Sequence, residues 1–213
     1  MKVLVTGQKW FGANALTILS HTPGVEVVAA AAPVREDKPD RLATAAELAG
    51  VPVIPAGTLR ERTVPDDLDL IVAAHSHDFI GAPTRWRARH GAIGYHPSLL
   101  PRHRGRDAIR WTLRMREAVT GGTVFRLTDT VDGGPVLAQE HVFVDPDDTA
   151  ESLWRERLGP LGLRLLSEVA SRIAHDGYQA GRPQDARLAT WEPSIDAPPL
   201  FRPELIALGH DGC

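Results

Sequence analysis

The amino-acid sequence predicts an α/β fold: a doubly wound, mostly parallel sheet with an antiparallel extension, forming a single domain over residues 1–180, followed by a proline-rich C-terminal tail over residues 181–213. Three observations carry that prediction. Through the first half of the chain, short apolar runs alternate with segments whose apolar residues recur at helical spacing, the pattern of strand–helix–strand units. Two further strand-like runs flank the glycine-bearing connection TDTVDGGP, which favours antiparallel pairing. Pro183, Pro193, Pro198, Pro199 and Pro203 then crowd the last segment, which is too rich in proline to build a second core and is expected to lie extended on the surface or on a partner subunit.

The elements follow in order. Residues 2–6 are β-branched at Val3, Val5 and Thr6 and read as the first strand, ended by Gly7. Phe11, Ala15, Ile18 and Leu19 mark a helix over 11–19. The turn before it, GQKWFG, lacks the GxGxxG spacing that brings a backbone against a pyrophosphate, so a dinucleotide is disfavoured. Residues 25–32 are nearly all apolar, as expected of a parallel strand covered on both faces. A polar segment over 35–40 precedes an alanine-rich helix over 41–49, closed by Gly50. Residues 51–54 and 70–74 supply the third and fourth strands, with an ambiguous polar stretch, 59–67, between them.

The fourth strand leads into HSHDFI. Residues 83–90 fit a short basic helix with Pro83 in its first turn, and a fifth strand begins after Gly91. Asp107 is expected to cap a helix over 108–116 whose apolar side is Ile109, Trp111, Thr112 and Met115. Strands over 123–127 and 136–144 come next. Asp147 or Asp148 is expected to cap a long helix ending near Ala174, which Gly159-Pro160 bends or breaks and Gly177 stops.

Composition narrows the function. With 43% hydrophobic and 24% charged residues the chain has the proportions of a soluble globular protein. A formal charge of -3 argues against general nucleic-acid binding, which depends on cations at phosphates. Cys213 is the lone cysteine, so no intrachain disulfide can form. MKVLVTG reads as a first strand and not as a signal peptide, and no apolar run approaches the roughly 20 residues that cross a bilayer. The expectation is a cytoplasmic protein without a membrane partner.

Chemistry concentrates in residues 91–105, GAIGYHPSLLPRHRG. An apolar run delivers His96 where Pro97 ends strand pairing, so the imidazole is presented at the carboxyl edge of the sheet, where open α/β folds bind ligands. A histidine works as acid or base when a carboxylate orients it, and Asp132, in VDGGP, is the acidic residue expected beside it. Asp132-Gly133-Gly134 also suits a plain hairpin turn. His75, His77 and Asp78, with His96, could be read as metal ligands, but His-x-His arises easily by chance and no metal is expected.

HPSLLPRHRG followed by LTDTVDGGPVL resembles the folate-dependent formyltransferase family, which includes glycinamide ribonucleotide, methionyl-tRNA and sugar N-formyltransferases. GQxxFG near the start, YHPSLLPRHRG and the later WTL are similar to the hydrolase domain of 10-formyltetrahydrofolate dehydrogenase, and the likeness extends over roughly residues 1–175. It implies a Rossmann-like sheet that takes 10-formyltetrahydrofolate as formyl donor. The family's catalytic histidine and aspartate match His96 and Asp132, whereas its asparagine, two residues before the histidine, is here Gly94.

The resemblance further implies that Phe79 and Ile80 lie in the loop that grips the pterin through its backbone, with His77 and Asp78 flanking that pocket and Tyr95, Leu127, Asp129, Thr130 and Val131 completing the folate site. Ser98 and Gly105 are expected to shape the loop, and Arg102, His103 and Arg104 either to attract an anion or to lie solvated. The family asparagine would donate to the formyl oxygen, and loss of such a donor typically costs about 2.7–4 kcal/mol. Gly94 leaves three readings open: His96 or a backbone donor serves alone, His77 substitutes, or the protein binds folate with little turnover. The expected acceptor is an amine on a small molecule. Hydrolysis to formate is the alternative, because the dehydrogenase hydrolase domain also lacks the asparagine. Methionyl-tRNA is disfavoured, since those enzymes carry a further C-terminal domain, and the tail leaves a homodimer open.

Overall fold

The structure, a computed structural model, describes residues 1–33, 39–76 and 78–196. His77, most of the predicted polar segment 35–40, the tail beyond 196 and Cys213 lie outside the described residues. Seven strands form one sheet in the order β3-β2-β1-β4-β5-β6-β7. β1 (Lys2–Gly7), β2 (Glu26–Ala32), β3 (Val53–Pro55), β4 (Leu70–Ala74) and β5 (Ala92–His96) pair in parallel. β6 (Val119–Arg126) and β7 (Val136–Phe143) extend the sheet antiparallel, as the hairpin signal predicts.

Alternation along each parallel strand builds a core on both faces. Val3 and Val5 of β1 and Leu70 and Val72 of β4 face one layer, made by α1 (Lys9–Ser20), α2 (Arg41–Leu48) and α6 (Gly159–Asp176). Leu4 and Ile71 face the other, where Leu59, Val64, Leu68, Ile80 and Ala88 cover the sheet. The stretch that looked ambiguous in sequence, residues 59–67, is therefore the crossover that carries the chain from β3 back to β4, and its apolar side chains are core.

Several boundaries differ from expectation. The basic helix expected over 83–90 is only α3 (Ala82–Arg85). The backbone leaves helix because Arg89 and His90 donate to Leu68 and Asp69, the residues leading into β4, at 3.0 and 2.7 Å. β6 begins at Val119, four residues before the predicted start, because Gly121 and Gly122 are strand residues and not a turn. A Cβ at Gly121 would lie 2.2 Å from the Glu140 carbonyl oxygen and one at Gly122 2.3 Å from the Tyr95 hydroxyl, so close packing excludes any larger side chain.

α4 (Ala108–Arg114) buries Ala108 and Thr112, while Met115 of its expected apolar side is exposed. Asp107 does not cap it through its side chain; its Oδ2 accepts instead from the Ile195 N–H at 3.0 Å. The long helix is capped by Thr149, whose Oγ1 accepts from the Ser152 N–H at 3.0 Å, and not by Asp147 or Asp148. α5 (Ala150–Ser152) passes through a π-helical stretch, Leu153–Leu158, into α6. The widened turn admits Pro160 without ending the helix.

Candidate active site

β5 leads directly to the site. Gly94 pairs with Ala73 of β4 and Phe125 of β6, and His96 pairs with Thr123. Gly94 and His96 share one face of the strand, and Ile93 and Tyr95 the other. His96 is 7% exposed. Beyond it the chain turns tightly: the Ser98 N–H donates to the His96 carbonyl, and the Ser98 hydroxyl donates to the Arg102 carbonyl at 2.6 Å. Thr123 of β6 donates to the Ser98 carbonyl and accepts from the Leu100 N–H, pinning the loop to the sheet. Ser98 thus shapes the loop as predicted.

The loop fixes the imidazole. His96 Nε2 lies 2.7 Å from the His103 carbonyl oxygen, and because a carbonyl only accepts, Nε2 carries the hydrogen. His96 Nδ1 is left facing the Asp132 carboxylate, 3.7 Å away. Asp132 projects from the β6–β7 connection at φ 49°, a left-handed conformation that residues with a Cβ rarely adopt. Its Oδ2 also accepts from the Gly105 N–H at 2.8 Å, which ties its loop to the one that follows His96. The structure therefore brings together the two residues that sequence spacing alone could not.

The basic run after His96 is neither free nor merely solvated. Arg102 pairs with Glu117. His103 is buried, with Nε2 3.0 Å from Glu117 and Nδ1 3.1 Å from Glu192. Arg104 reaches Gln184. These side chains are engaged within the protein, which leaves little of the anion-attracting role considered for them.

The residues expected to hold folate divide. Phe79, 70% exposed, and Val131, also exposed, present apolar side chains on the loops that follow β4 and β6, the strands nearest β5 in the parallel and antiparallel directions. Leu127 stands beside Gly94, its Cδ2 3.0 Å from where a Cβ there would lie. Asp129 is held by Arg85 at 2.7 Å, and Thr130 accepts from the Gly133 N–H, closing the turn around Asp132. Asp78 accepts from the Gly57 N–H at 2.8 Å. Ile80 is different: its side chain is core and its carbonyl takes a 2.6 Å hydrogen bond from Arg85. Tyr95 points away from His96, stacks on Phe11 at 5.3 Å between ring centroids, and donates to the Leu158 carbonyl at 2.6 Å. Burial pushes the Tyr95 phenol up, which keeps it a donor to that carbonyl.

Arg85 and Gln184 escaped the sequence reading. A basic residue in a basic run gives no sign that it is buried, and a glutamine in an aperiodic segment carries no pattern. The start of α1 was also opaque. The Asp40 carboxylate accepts from the Lys9 N–H at 2.9 and 3.0 Å, so the end of the helix that favours anions already faces one.

A sheet of this order with a histidine and an aspartate meeting at the edge of β5 suits proton transfer to a bound ligand, and the chain belongs to the formyl transferase family, whose sequence profile matches residues 8–169. It is 36% identical to the mitochondrial 10-formyltetrahydrofolate dehydrogenase of Mus musculus over 202 residues, which are 90% of this chain and 22% of that protein. It is 30% identical to the methionyl-tRNA formyltransferase of Thermotoga neapolitana over 172 residues, 78% of this chain and 54% of that one. The chain thus spans about a fifth of the dehydrogenase and about half of the transferase.

Among solved structures, an N-formyltransferase from Helicobacter canadensis, crystallised with folinic acid and dTDP-3-aminofucose, superposes with a TM-score of 0.72 at 17% identity over 90% of this chain and 70% of that one. Glycinamide ribonucleotide transformylase 1 from Symbiobacterium toebii superposes with a TM-score of 0.70 at 22% identity over 86% and 93%. At those identities the likeness is one of fold. Among the described residues no helix is long and apolar enough to cross a membrane.

Proposed function

We propose that this protein takes the formyl group of 10-formyltetrahydrofolate and passes it to an amine on a small-molecule acceptor. The observation that carries the reading is the His96–Asp132 pair, with Nε2 committed to the His103 carbonyl and Nδ1 turned toward the carboxylate. Exposed Phe79 and Val131, with Leu127 beside Gly94, suit a flat heteroaromatic ring at that edge. The folate supplies the activated formyl carbon, on a nitrogen that leaves once protonated.

The chain's own residues manage the protons. Nδ1 is the only ring nitrogen of His96 not already bonded to the backbone, so it holds the proton that the leaving nitrogen needs. Asp132 stabilises the imidazolium and, through its second oxygen, takes the proton released by the attacking amine. The 3.7 Å separation exceeds a hydrogen bond, so Nδ1 is not committed to the carboxylate and its hydrogen can turn to the leaving nitrogen. The Asp40 carboxylate, which caps α2 and also takes the Lys9 N–H at the start of α1, favours an acceptor without a phosphate at that turn.

A second reading, water as acceptor, is favoured by Gly94, which offers no side chain to bind a formyl oxygen, and by the 36% identity to a 10-formyltetrahydrofolate dehydrogenase over 90% of the chain. One assay separates the readings: follow tetrahydrofolate release from 10-formyltetrahydrofolate, first without and then with a pool of amines. Release only with amine is the expected result. Release without it establishes hydrolysis, and binding with no release in either arm overturns both.

A further inference from the structure

The segment after α6 lies beyond the residues matched by the family profile, and it runs over both loops of the candidate site, extended apart from one 3-10 turn at Ala186–Leu188. Two of its attachments bracket Gln184. Val136 and Arg182 exchange both backbone hydrogen bonds at 2.8 Å, and the Arg104 N–H donates to the Thr190 carbonyl at 3.1 Å. Gln184 sits between these anchors. Its Oε1 accepts from Arg104 Nε at 3.2 Å and Nη2 at 2.7 Å. Its Nε2 donates to the carbonyls of Asp132 at 2.8 Å and Gly134 at 2.7 Å.

A primary amide has two donor hydrogens and one acceptor oxygen with two lone pairs, and here all four capacities are used. The oxygen engages the loop that follows His96; the nitrogen engages the turn that carries Asp132. That turn holds Asp132 at φ 49° and needs outside support to stay there. The direct link between the loops, from the Gly105 N–H to Asp132 Oδ2, uses the same oxygen that faces His96, so it cannot set the carboxylate's distance unaided. A bracket behind the turn can.

We propose that Gln184 is a positioning residue for the His96–Asp132 pair, a single amide that braces the Asp132 turn against Arg104 and holds the carboxylate opposite His96 Nδ1. The proposal rests on the reading that this pair moves the proton. It makes the extended segment part of the active site and not a surface tail.

The test uses the full chain and 10-formyltetrahydrofolate turnover in whichever assay arm is productive. Gln184→Glu keeps the acceptor for Arg104 and replaces both donors with an oxygen. Gln184→Met keeps the volume and loses all four bonds. Leu188→Ala, on an exposed part of the same segment, is the control. Either Gln184 variant should lower kcat about 10- to 100-fold with KM for the folate unchanged, the signature of misplaced catalytic groups, while Leu188→Ala keeps the wild-type rate. Arg104→Ala should lower kcat similarly, and the Arg104/Gln184 double variant should be no worse than the poorer single one.

Wild-type kcat in a folded Gln184 variant, a loss borne by KM, or additive losses in the double variant would overturn the positioning role. If one Gln184 variant does not fold, the other and the Arg104 cycle decide. A His96→Ala arm keeps the two readings apart. Retained rate there sinks the catalytic assignment itself, whereas an inactive His96→Ala beside a fully active Gln184→Met sinks only the positioning role.

Discussion

The two faces of β5 do opposite work. On one, Tyr95 is packed and hydrogen-bonded: Phe11 stacks on the ring, Leu158 takes the hydroxyl hydrogen, and Gly122 and Gly162 press so near that an added Cβ would lie 2.3 and 2.5 Å from it. On the other, Gly94 leaves room bounded by Leu127, Phe125 and Ala73, and His96 presents a nitrogen whose facing group stands 3.7 Å off. Three consecutive residues thus split between a satisfied core and an unsatisfied site. Pleating makes this possible, because alternate side chains never share a neighbourhood. Substitutions on one face should therefore be felt first in rate, and those on the other first in stability.

His96→Ala is the hardest test of that division. Losing the acid–base group should cost about 10²- to 10⁴-fold in tetrahydrofolate release, a far larger effect than the roughly 1–2 kcal/mol of stability lost with the hydrogen bond to the His103 carbonyl. A retained rate breaks the comparison at its centre. Gly94→Asn probes the same face with a gain. Its amide would reach the space where a donor to the formyl oxygen is wanted, and only the end of the Leu127 side chain must yield, 3.0 Å from the new Cβ. Since one such donor is worth about 2.7–4 kcal/mol and some is spent moving Leu127, amine formylation should rise about tenfold. An unchanged or lower rate in a folded variant would show that the site does not want that donor.

Tyr95→Phe addresses the other face. It leaves the Leu158 carbonyl without its buried partner and should destabilise the fold by about 1–2 kcal/mol in urea unfolding, with kcat unaltered. A fall in kcat without loss of stability would return Tyr95 to the folate site, where the family resemblance had put it.

That resemblance illustrates how much of the site was legible. Motif matching gave His96 and Asp132, and apolar runs alternating with helical spacing gave the parallel sheet. The resemblance also puts Tyr95 in the folate site, although period-two alternation alone sets it on the face opposite His96. The resemblance has the loop of Phe79 and Ile80 grip the pterin through its backbone; the Ile80 side chain is core and its carbonyl is taken by Arg85, which leaves such a grip to the loop's other backbone groups. Gly121 and Gly122 read as a break in pattern because strand propensity cannot register a site that demands the absence of a side chain. The bracket through Gln184 was beyond reach, for it joins residues 80 apart in sequence through an extended segment with no period to read.

The smallest effect concerns the entrance of β5. His90, six residues before His96, has a buried Nδ1 without a hydrogen-bond partner, while its carbonyl accepts from Arg126 at 2.8 Å. Burial lowers its pKa below the ordinary 6.5, Arg89 and Arg126 add to the lowering, and Asp69 opposes it. The folded protein therefore holds His90 neutral where the unfolded chain already binds a proton. Unfolding takes up that proton as pH falls through about 6.5, so His90 subtracts stability on the acid side and nothing above that window. His90→Phe should shift the urea midpoint upward relative to wild type at about pH 5.5, with the difference between the two proteins smaller at about pH 8. Parallel pH curves for the two proteins would show that His90 is solvated.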